Sequence, residues 1–239
     1  MKILLTRPDG RNQSMAESLT EQGIPFLVTP LLAVSALPQP STALLESADI
    51  LIFISTNAVQ YLTCSADVLS ANCQVYAVGD ATLHALQKRD IKAFGTPADN
   101  QQTEGLLTLA GLQPDAVTHK NIVIVRGVGG RETLAEQLSS FGAKVSYYEV
   151  YRRHCPEYDR LAIINEWQQF GIDTIMLTSG EALTNLISLT SEENFSWLQA
   201  CHIIVPSIRV QQQAHEAGLS FVVNAGAAND AAMLKALSL

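Results

Sequence analysis

The sequence predicts an α/β protein of two similar domains, each a parallel β-sheet flanked by helices, joined by a two-stranded antiparallel β connector. Three observations predict it: short Ile/Val/Leu runs alternate with helical patterns, several strand-helix units occur twice, and the two copies stand in permuted order. The runs are ILLT (3–6), DILIFIS (49–55), VYAV (75–78), IVIV (122–125), DTIMLTS (173–179) and HIIV (202–205). They are apolar throughout rather than alternating, as expected of strands covered on both faces by helical crossovers.

The repetition is specific. Arg7, Gly10, Ala16, Glu17, Leu19 and Gly23 match Arg126, Gly129, Ala135, Glu136, Leu138 and Gly142 at a constant shift of 119, covering a strand, a helix and the glycine that ends the helix. Asp49, Ser55, Ala58 and Leu62 match Asp173, Ser179, Ala182 and Leu186 at a shift of 124. A weaker pair sets AVGDATLHALQKRDI (77–91) beside VPSIRVQQQAHEAGL (205–219).

The Arg-Gly unit comes last among the middle units, whereas its counterpart opens the chain. One strand-helix-strand unit cannot bury its apolar face alone. Residues 1–33 are therefore expected to pack with 155–239 as a discontinuous first domain, around an inserted second domain at 39–145. The chain then crosses twice, through PLLAVSALP (30–38) and SYYEVYRR (146–153), both β-prone and expected to pair. Open parallel sheets bind ligands beyond the carboxyl ends of their strands, so a cleft between the domains is the expected place for chemistry.

At 239 residues, with 47% apolar and 16% charged side chains, the chain is long enough for one large α/β domain or two small ones, and disorder is excluded as a main state. A net charge of −8 excludes a whole-chain basic field for nucleic acid or anionic membrane. The longest apolar runs, such as ADILIFI (48–54), fall short of the roughly 20 residues that span a bilayer. Met1-Lys2 leads straight into a strand without a signal-peptide layout, which predicts a cytosolic protein. Cys64, Cys73, Cys155 and Cys201 lack CxxC spacing and the histidines show neither HxxxH nor HExxH, so free thiols are expected and no metal site or disulfide framework.

Strand ends supply hydroxyls and amides: Ser55, Thr56 and Asn57, then Gly79 and Thr82, then Thr178 and Ser179, and Ser207. A hydroxyl at a helix entry caps orphan backbone donors, and the same donors attract anions; the two roles compete. Arginines recur in comparable places, at Arg7, Arg11, Arg126, Arg131, Arg152, Arg153 and Arg209, and a guanidinium pairs bidentately with carboxylates. The pattern suggests a polyanionic ligand. GVGGR (127–131) lacks the GxGxxG spacing of a dinucleotide loop and is a tight turn that at most binds carboxylate through Gly127 and Gly129. Tyr147 and Tyr151 share one face of their strand, opposite Tyr148, and a tyrosine facing a ligand can donate a proton or hydrogen bond.

Along essentially the whole chain these residues resemble the uroporphyrinogen-III synthases. The matching pieces are ILLTRPDGR, ADILIFISTNAV, VYAVGDATLHAL, IVIVRGVGGRETLAEQLSSFGAKV running into YYEVYRR, IDTIMLTSGEAL and IIVPSIRVQQQAHEAGL. The resemblance implies conversion of hydroxymethylbilane to uroporphyrinogen III in heme and siroheme biosynthesis, without a cofactor. Ring A loses its hydroxyl as water to give an azafulvene, ring D attacks through its substituted carbon to give a spiro intermediate, and rearrangement inverts ring D before closure. Tyr151 matches the family's connector tyrosine, proposed to assist departure of the hydroxyl. Thr82 matches a family threonine, and Ser55 with the Thr178-Ser179 pair match cleft hydroxyls. The last unit departs from the pattern: VPSIRV, with Ser207 and Arg209, stands where some relatives carry a glycine followed by threonines.

The resemblance further implies a monomer, with transient contact to the preceding pathway enzyme as a possible addition. Two other classes share parts of the pattern: a non-enzymatic two-domain binding protein for a small polar ligand, and a nucleotide-sugar transferase with paired Rossmann-like domains. The poor glycine motif and small domains argue against the transferase.

Overall fold

Two units divide the chain in the computed structural model, Met1–Val34 with His154–Leu239, and Ser35–Arg153. The structure describes residues 1–70 and 72–237. In chain order β1 (Ile3–Leu5), α1 (Gln13–Glu21) and β2 (Phe26–Val28) are followed by β3 (Ala33–Ala36), α2 (Ala43–Glu46), β4 (Ile50–Phe53) and α3 (Thr56–Tyr61). Next come β5 (Gln74–Ala77), α4 (Asp80–Gln87), β6 (Phe94–Gly95), α5 (Thr103–Leu106), α6 (Pro114–Val117), β7 (Asn121–Gly127), α7 (Thr133–Ser140) and β8 (Lys144–His154). The chain continues through α8 (Arg160–Phe170), β9 (Thr174–Met176), α9 (Gly180–Leu189), α10 (Glu192–Ala200), β10 (His202–Val205), α11 (Ile208–Glu216), β11 (Val222–Asn224) and α12 (Asp230–Ala236). Among the described residues no helix is long and apolar enough to cross a membrane.

The first unit's sheet runs β11-β10-β9-β1-β2, and its strand pairs are parallel. The second unit's sheet runs β3-β8-β7-β4-β5-β6, parallel from β8 to β6. Placing β9, β10, β11, β1 and β2 on β4, β5, β6, β7 and β8 gives one strand order in both, so the permuted repeats of the sequence are equivalent pieces of equivalent sheets.

Alternation along each strand explains why the runs are apolar throughout. Leu4, Ile175, Ile203 and Val205 point into a core with Ile164 and Trp167 of α8 and Leu183 and Leu186 of α9. Ile3, Leu5, Met176 and Ile204 point the other way, onto Met15 and Leu19 of α1 and Met233 of α12. The second sheet turns Ile50, Ile52, Ile122 and Ile124 onto Leu106, Val117, Leu134 and Leu138, and its Leu51, Phe53, Val123 and Val125 are buried on the opposite face.

The repeated polar residues hold the same joints twice. The Asp49 carboxylate accepts from Asn121 N–H at 2.8 Å and Lys120 Nζ at 3.1 Å, and the Asp173 carboxylate accepts from Lys2 N–H at 2.9 Å. Each ties the start of one central strand to the next. Ser55 and Ser179 each cap a helix, accepting from Ala58 and Ala182 N–H at 3.1 Å. Gly23 and Gly142 leave their helices with φ of +67° and +87°, a region open to glycine.

The expected connector strand differs in one respect. β8 is a single 11-residue strand whose first half belongs to the sheet, pairing in parallel with β7 from Asn121↔Lys144 to Arg126↔Glu149. Val145 and Tyr147 pack against the Ile122 and Ile124 core, and that burial draws the segment in. The second half faces β3 and the residue after it, where Leu37 N–H donates to Val150 O at 3.0 Å and Arg152 Nε to Ser35 Oγ at 3.4 Å. Partner numbers fall as those of β3 rise, so this pair is antiparallel.

Trp167 is fully buried, and its indole N–H donates to Thr29 Oγ1 at 3.0 Å. Thr29→Val keeps the volume and orphans that donor, so urea denaturation should show a loss of about 1–3 kcal/mol; an unchanged midpoint would refute the assignment.

Candidate active site

The carboxyl ends of the second unit's parallel strands enclose a cavity of about 350 Å³. Its wall takes Ile54 after β4, Val78 after β5, Arg126 and Gly127 at the tip of β7, and Tyr147 and Tyr151 of β8. Gly129, Gly130 and Arg131 of the following loop, the Gln101–Glu104 segment and Arg153 also line it.

Arg126 organises this end of the sheet. Its guanidinium is 2% exposed and donates to Gly127 O at 3.0 Å, to Gly129 O and to Glu132 at 3.2 Å. The Tyr147 ring covers it 4.4 Å away, a cation–π contact, and the Tyr147 hydroxyl donates to Glu132. A buried cation is tolerable only when its donors are satisfied, and here the loop that follows β7 satisfies them. The Tyr147 hydrogen bond, then the charge of Arg126, hold the Glu132 carboxyl below the usual range. Burial and then Glu132 push the Tyr147 phenol up to about 12.

Tyr151 is 4% exposed and sits on a glycine. A register shift at Arg126/Gly127 places Gly127 beside Tyr151, and a Cβ on Gly127 would lie 2.4 Å from Tyr151 Cε2. Only a residue without a side chain lets the ring lie there. The Tyr61 ring flanks it at a centroid distance of 5.9 Å, and the Tyr151 hydroxyl lies 3.1 Å from Ser55 Oγ. Tyr148 points away and donates to Pro40 O at 2.9 Å, which agrees with the expected alternation.

The remaining sequence candidates fall as follows. Thr56 and Asn57 open α3, half-buried. Gly79 precedes α4 and donates its N–H to Thr96 Oγ1 at 3.2 Å; Thr82 is buried within α4. In the first unit Arg7, Thr178 and Met233 meet around a small hollow, and Arg7 donates to Asp230 and to Ala228 O. Ser179 and Ser207 cap α9 and α11, and Arg209 is exposed in the first turn of α11 beside Gly180. The Arg7 and Arg126 guanidinia are both engaged inside their own units, by residues that the fold brings within reach. Sequence reasoning missed Glu132, Tyr61 and the Gln101–Glu104 wall. Glu132, three residues ahead of the helical Ala135-Glu136 pair, was the one with a legible signal, an acid beside the Arg-Gly loop.

These features define a class: an α/β protein of two like parallel-sheet units, with a tyrosine-bearing strand overrunning one of them. The model of the family described as uroporphyrinogen-III synthase HemD matches residues 13–235. The chain is 33% identical to the uroporphyrinogen-III synthase of Salmonella typhimurium, over 99% of this chain and 100% of that protein. It is 31% identical to the Escherichia coli one, with the same coverage of 99% and 100%. In fold it resembles the Helicobacter pylori uroporphyrinogen-III synthetase, with a TM-score of 0.66 at 17% identity over 99% of this chain and 98% of that one. A mutant uroporphyrinogen III synthase from Thermus thermophilus gives a TM-score of 0.60 at 16% identity, over 100% and 97% of the two chains. The chain belongs to the uroporphyrinogen-III synthase family.

The Arg126 cluster makes a pH prediction with a definite sign. A depressed Glu132 contributes stability above the ordinary carboxylate range and loses it as pH falls; a raised Tyr147 contributes below about 10 and loses it as pH climbs towards its own midpoint. Glu132→Gln should lower the Tyr147 midpoint, read by nuclear magnetic resonance of ring-labelled tyrosine, and a midpoint that stays put would break the account. Arg126→Met should cost about 1–3 kcal/mol because two carbonyls lose their donor, whereas Arg131→Met, at an exposed position, should leave stability unchanged.

Proposed function

We propose that the chain cyclises hydroxymethylbilane to uroporphyrinogen III, with loss of water and inversion of ring D through a spiro intermediate, as a cyclising lyase of tetrapyrrole biosynthesis. The observation that carries the reading is the setting of Tyr151, a nearly buried phenol on the wall of the cavity at the strand ends. As the ring A carbon–oxygen bond breaks, the leaving hydroxyl takes up a proton and departs as water, while the pyrrole N–H gives up its proton to complete the azafulvene. The Tyr151 phenol donates a hydrogen bond to the departing oxygen. Ring D then attacks through its substituted carbon.

Holding the linear chain folded so that this carbon meets the azafulvene is the larger task. Orientation of this kind contributes roughly 7 to 11 kcal/mol in favourable systems. Arg131, exposed and 3.6 Å from Glu104 at the cavity wall, and Arg209, exposed at the strand ends of the first unit, are suited to carboxylates of the substrate. Ser55, Thr56, Asn57, Gly79, Gly127, Gly129, Thr178, Ser179 and Ser207 line the same ends of their sheets and belong to the proposed substrate-binding set. Arg7, Arg126 and Thr82 enter it as supports rather than contacts. The reading includes no cofactor, a monomer, a cytosolic setting and a substrate received from the preceding enzyme of the pathway.

Incubating the purified protein with hydroxymethylbilane and separating the product isomers tests the reading. Uroporphyrinogen III should dominate; isomer I alone would leave a binding protein. Tyr151→Phe should slow turnover about a hundredfold, the low end of what a positioned proton donor contributes, without changing the isomer, because the azafulvene forms readily unaided.

A further inference from the structure

We propose that Ser55 is a positioning residue that fixes the direction of the Tyr151 proton, an inference that rests on reading Tyr151 as the group that assists hydroxyl departure. A phenol helps a leaving oxygen only if its proton points at it. Tyr151 and Ser55 are 3.1 Å apart, and either hydroxyl has the geometry to donate. If Tyr151 donates to Ser55, its proton is occupied; if Ser55 donates to Tyr151, the proton is left for the cavity.

The cap favours the second arrangement. Ser55 Oγ already accepts from Ala58 N–H at 3.1 Å, with backbone angles of φ −164° and ψ 160° that hold it at the helix entry. Accepting one hydrogen bond polarises the hydroxyl and strengthens it as a donor. The Ser55 proton therefore goes to the phenol oxygen, which in turn becomes a better donor at its own O–H. A directed series results, from the amide of Ala58 through Ser55 to Tyr151 and into the cavity. The ring has little freedom to undo it: Gly127 lies beneath it and Tyr61 beside it, and the Tyr151 backbone carbonyl, accepting from Val128 N–H at 2.9 Å, holds the strand in place.

The repeat supplies an internal control. Ser179 caps its helix with the same 3.1 Å bond and nearly the same angles, φ −158° and ψ 159°. In that unit β2, the counterpart of β8, stops at Val28, the equivalent of Tyr147, whereas β8 runs on to His154. Capping thus needs no tyrosine, and the Ser55–Tyr151 contact is an addition found in the second unit.

Isosteric caps separate the roles. Asp and Asn both cap helices well, but a carboxylate only accepts whereas an amide keeps an N–H to donate. Ser55→Asp should draw the phenol proton to itself and lower kcat about as far as Tyr151→Phe, with the denaturation midpoint unchanged. Ser55→Asn and Ser55→Thr should keep most of kcat, and Ser55→Asp with Tyr151→Phe should be no slower than Tyr151→Phe alone. Equal kcat for the Asp and Asn variants, with Tyr151→Phe slow, would overturn the role of Ser55. Tyr151→Phe at the unaltered rate would instead overturn the reading of Tyr151 on which it rests. If Ser55→Asp does not fold, the comparison of Ser55→Asn with Ser55→Ala decides: Asn near the unaltered kcat and Ala slow supports the role, and equal kcat overturns it.

Discussion

A guanidinium that is almost completely removed from water must find its hydrogen bonds inside the protein, and Arg126 finds them in the loop that follows its own strand. That requirement fixes the tip of β7. Gly127 is held where the strand bulges, the bulge brings Tyr151 over it, and the Tyr151 hydroxyl reaches the serine that opens α3. Electrostatic necessity at one residue therefore sets the position of a phenol two strands from that helix. Arg7 plays the same organising part in the first unit with different partners, Asp230 and Ala228.

The repeat separates scaffold from chemistry. What the copies share is mechanical: aspartates that align neighbouring strands, serines that cap, glycines that end helices, and Leu19 and Leu138 buried against their sheets. What they do not share is the long strand. β8 carries Tyr147, Tyr148 and Tyr151, each with a different partner, whereas β2 contributes three residues and ends. The two units are like frames, and the asymmetry between them marks the cavity described above.

Much of this was legible in the sequence, for a physical reason. Central strands buried on both faces have to be apolar at every position, and all six such runs are strands. The edge strands β2, β6 and β11 are short and half-exposed, with Phe94 59% exposed, so they leave no comparable run. Tyr151 was legible by its place in EVYRR, but the contact with Ser55 was not, since the two are 96 residues apart and meet through a register shift that no pattern encodes. Arginine positions were visible whereas their partners were not: Asp230 lies 223 residues from Arg7. The Gln101–Glu104 wall is a polar stretch following a two-residue strand, without periodicity to betray it.

The first strand of the chain lies inside its sheet, between β2 and β9. During synthesis, therefore, β1 emerges early and waits for Thr174–Met176 before its second side is satisfied, while the second unit, whose residues are contiguous, can complete itself in the interval. For that period an apolar ribbon with one open edge hangs from the nascent chain, the kind of segment that holding chaperones recognise and that invites association between neighbouring polypeptides. Slow elongation between β2 and β9 prolongs the exposure, so the timing of translation, and not only the finished contacts, bears on the yield of folded protein.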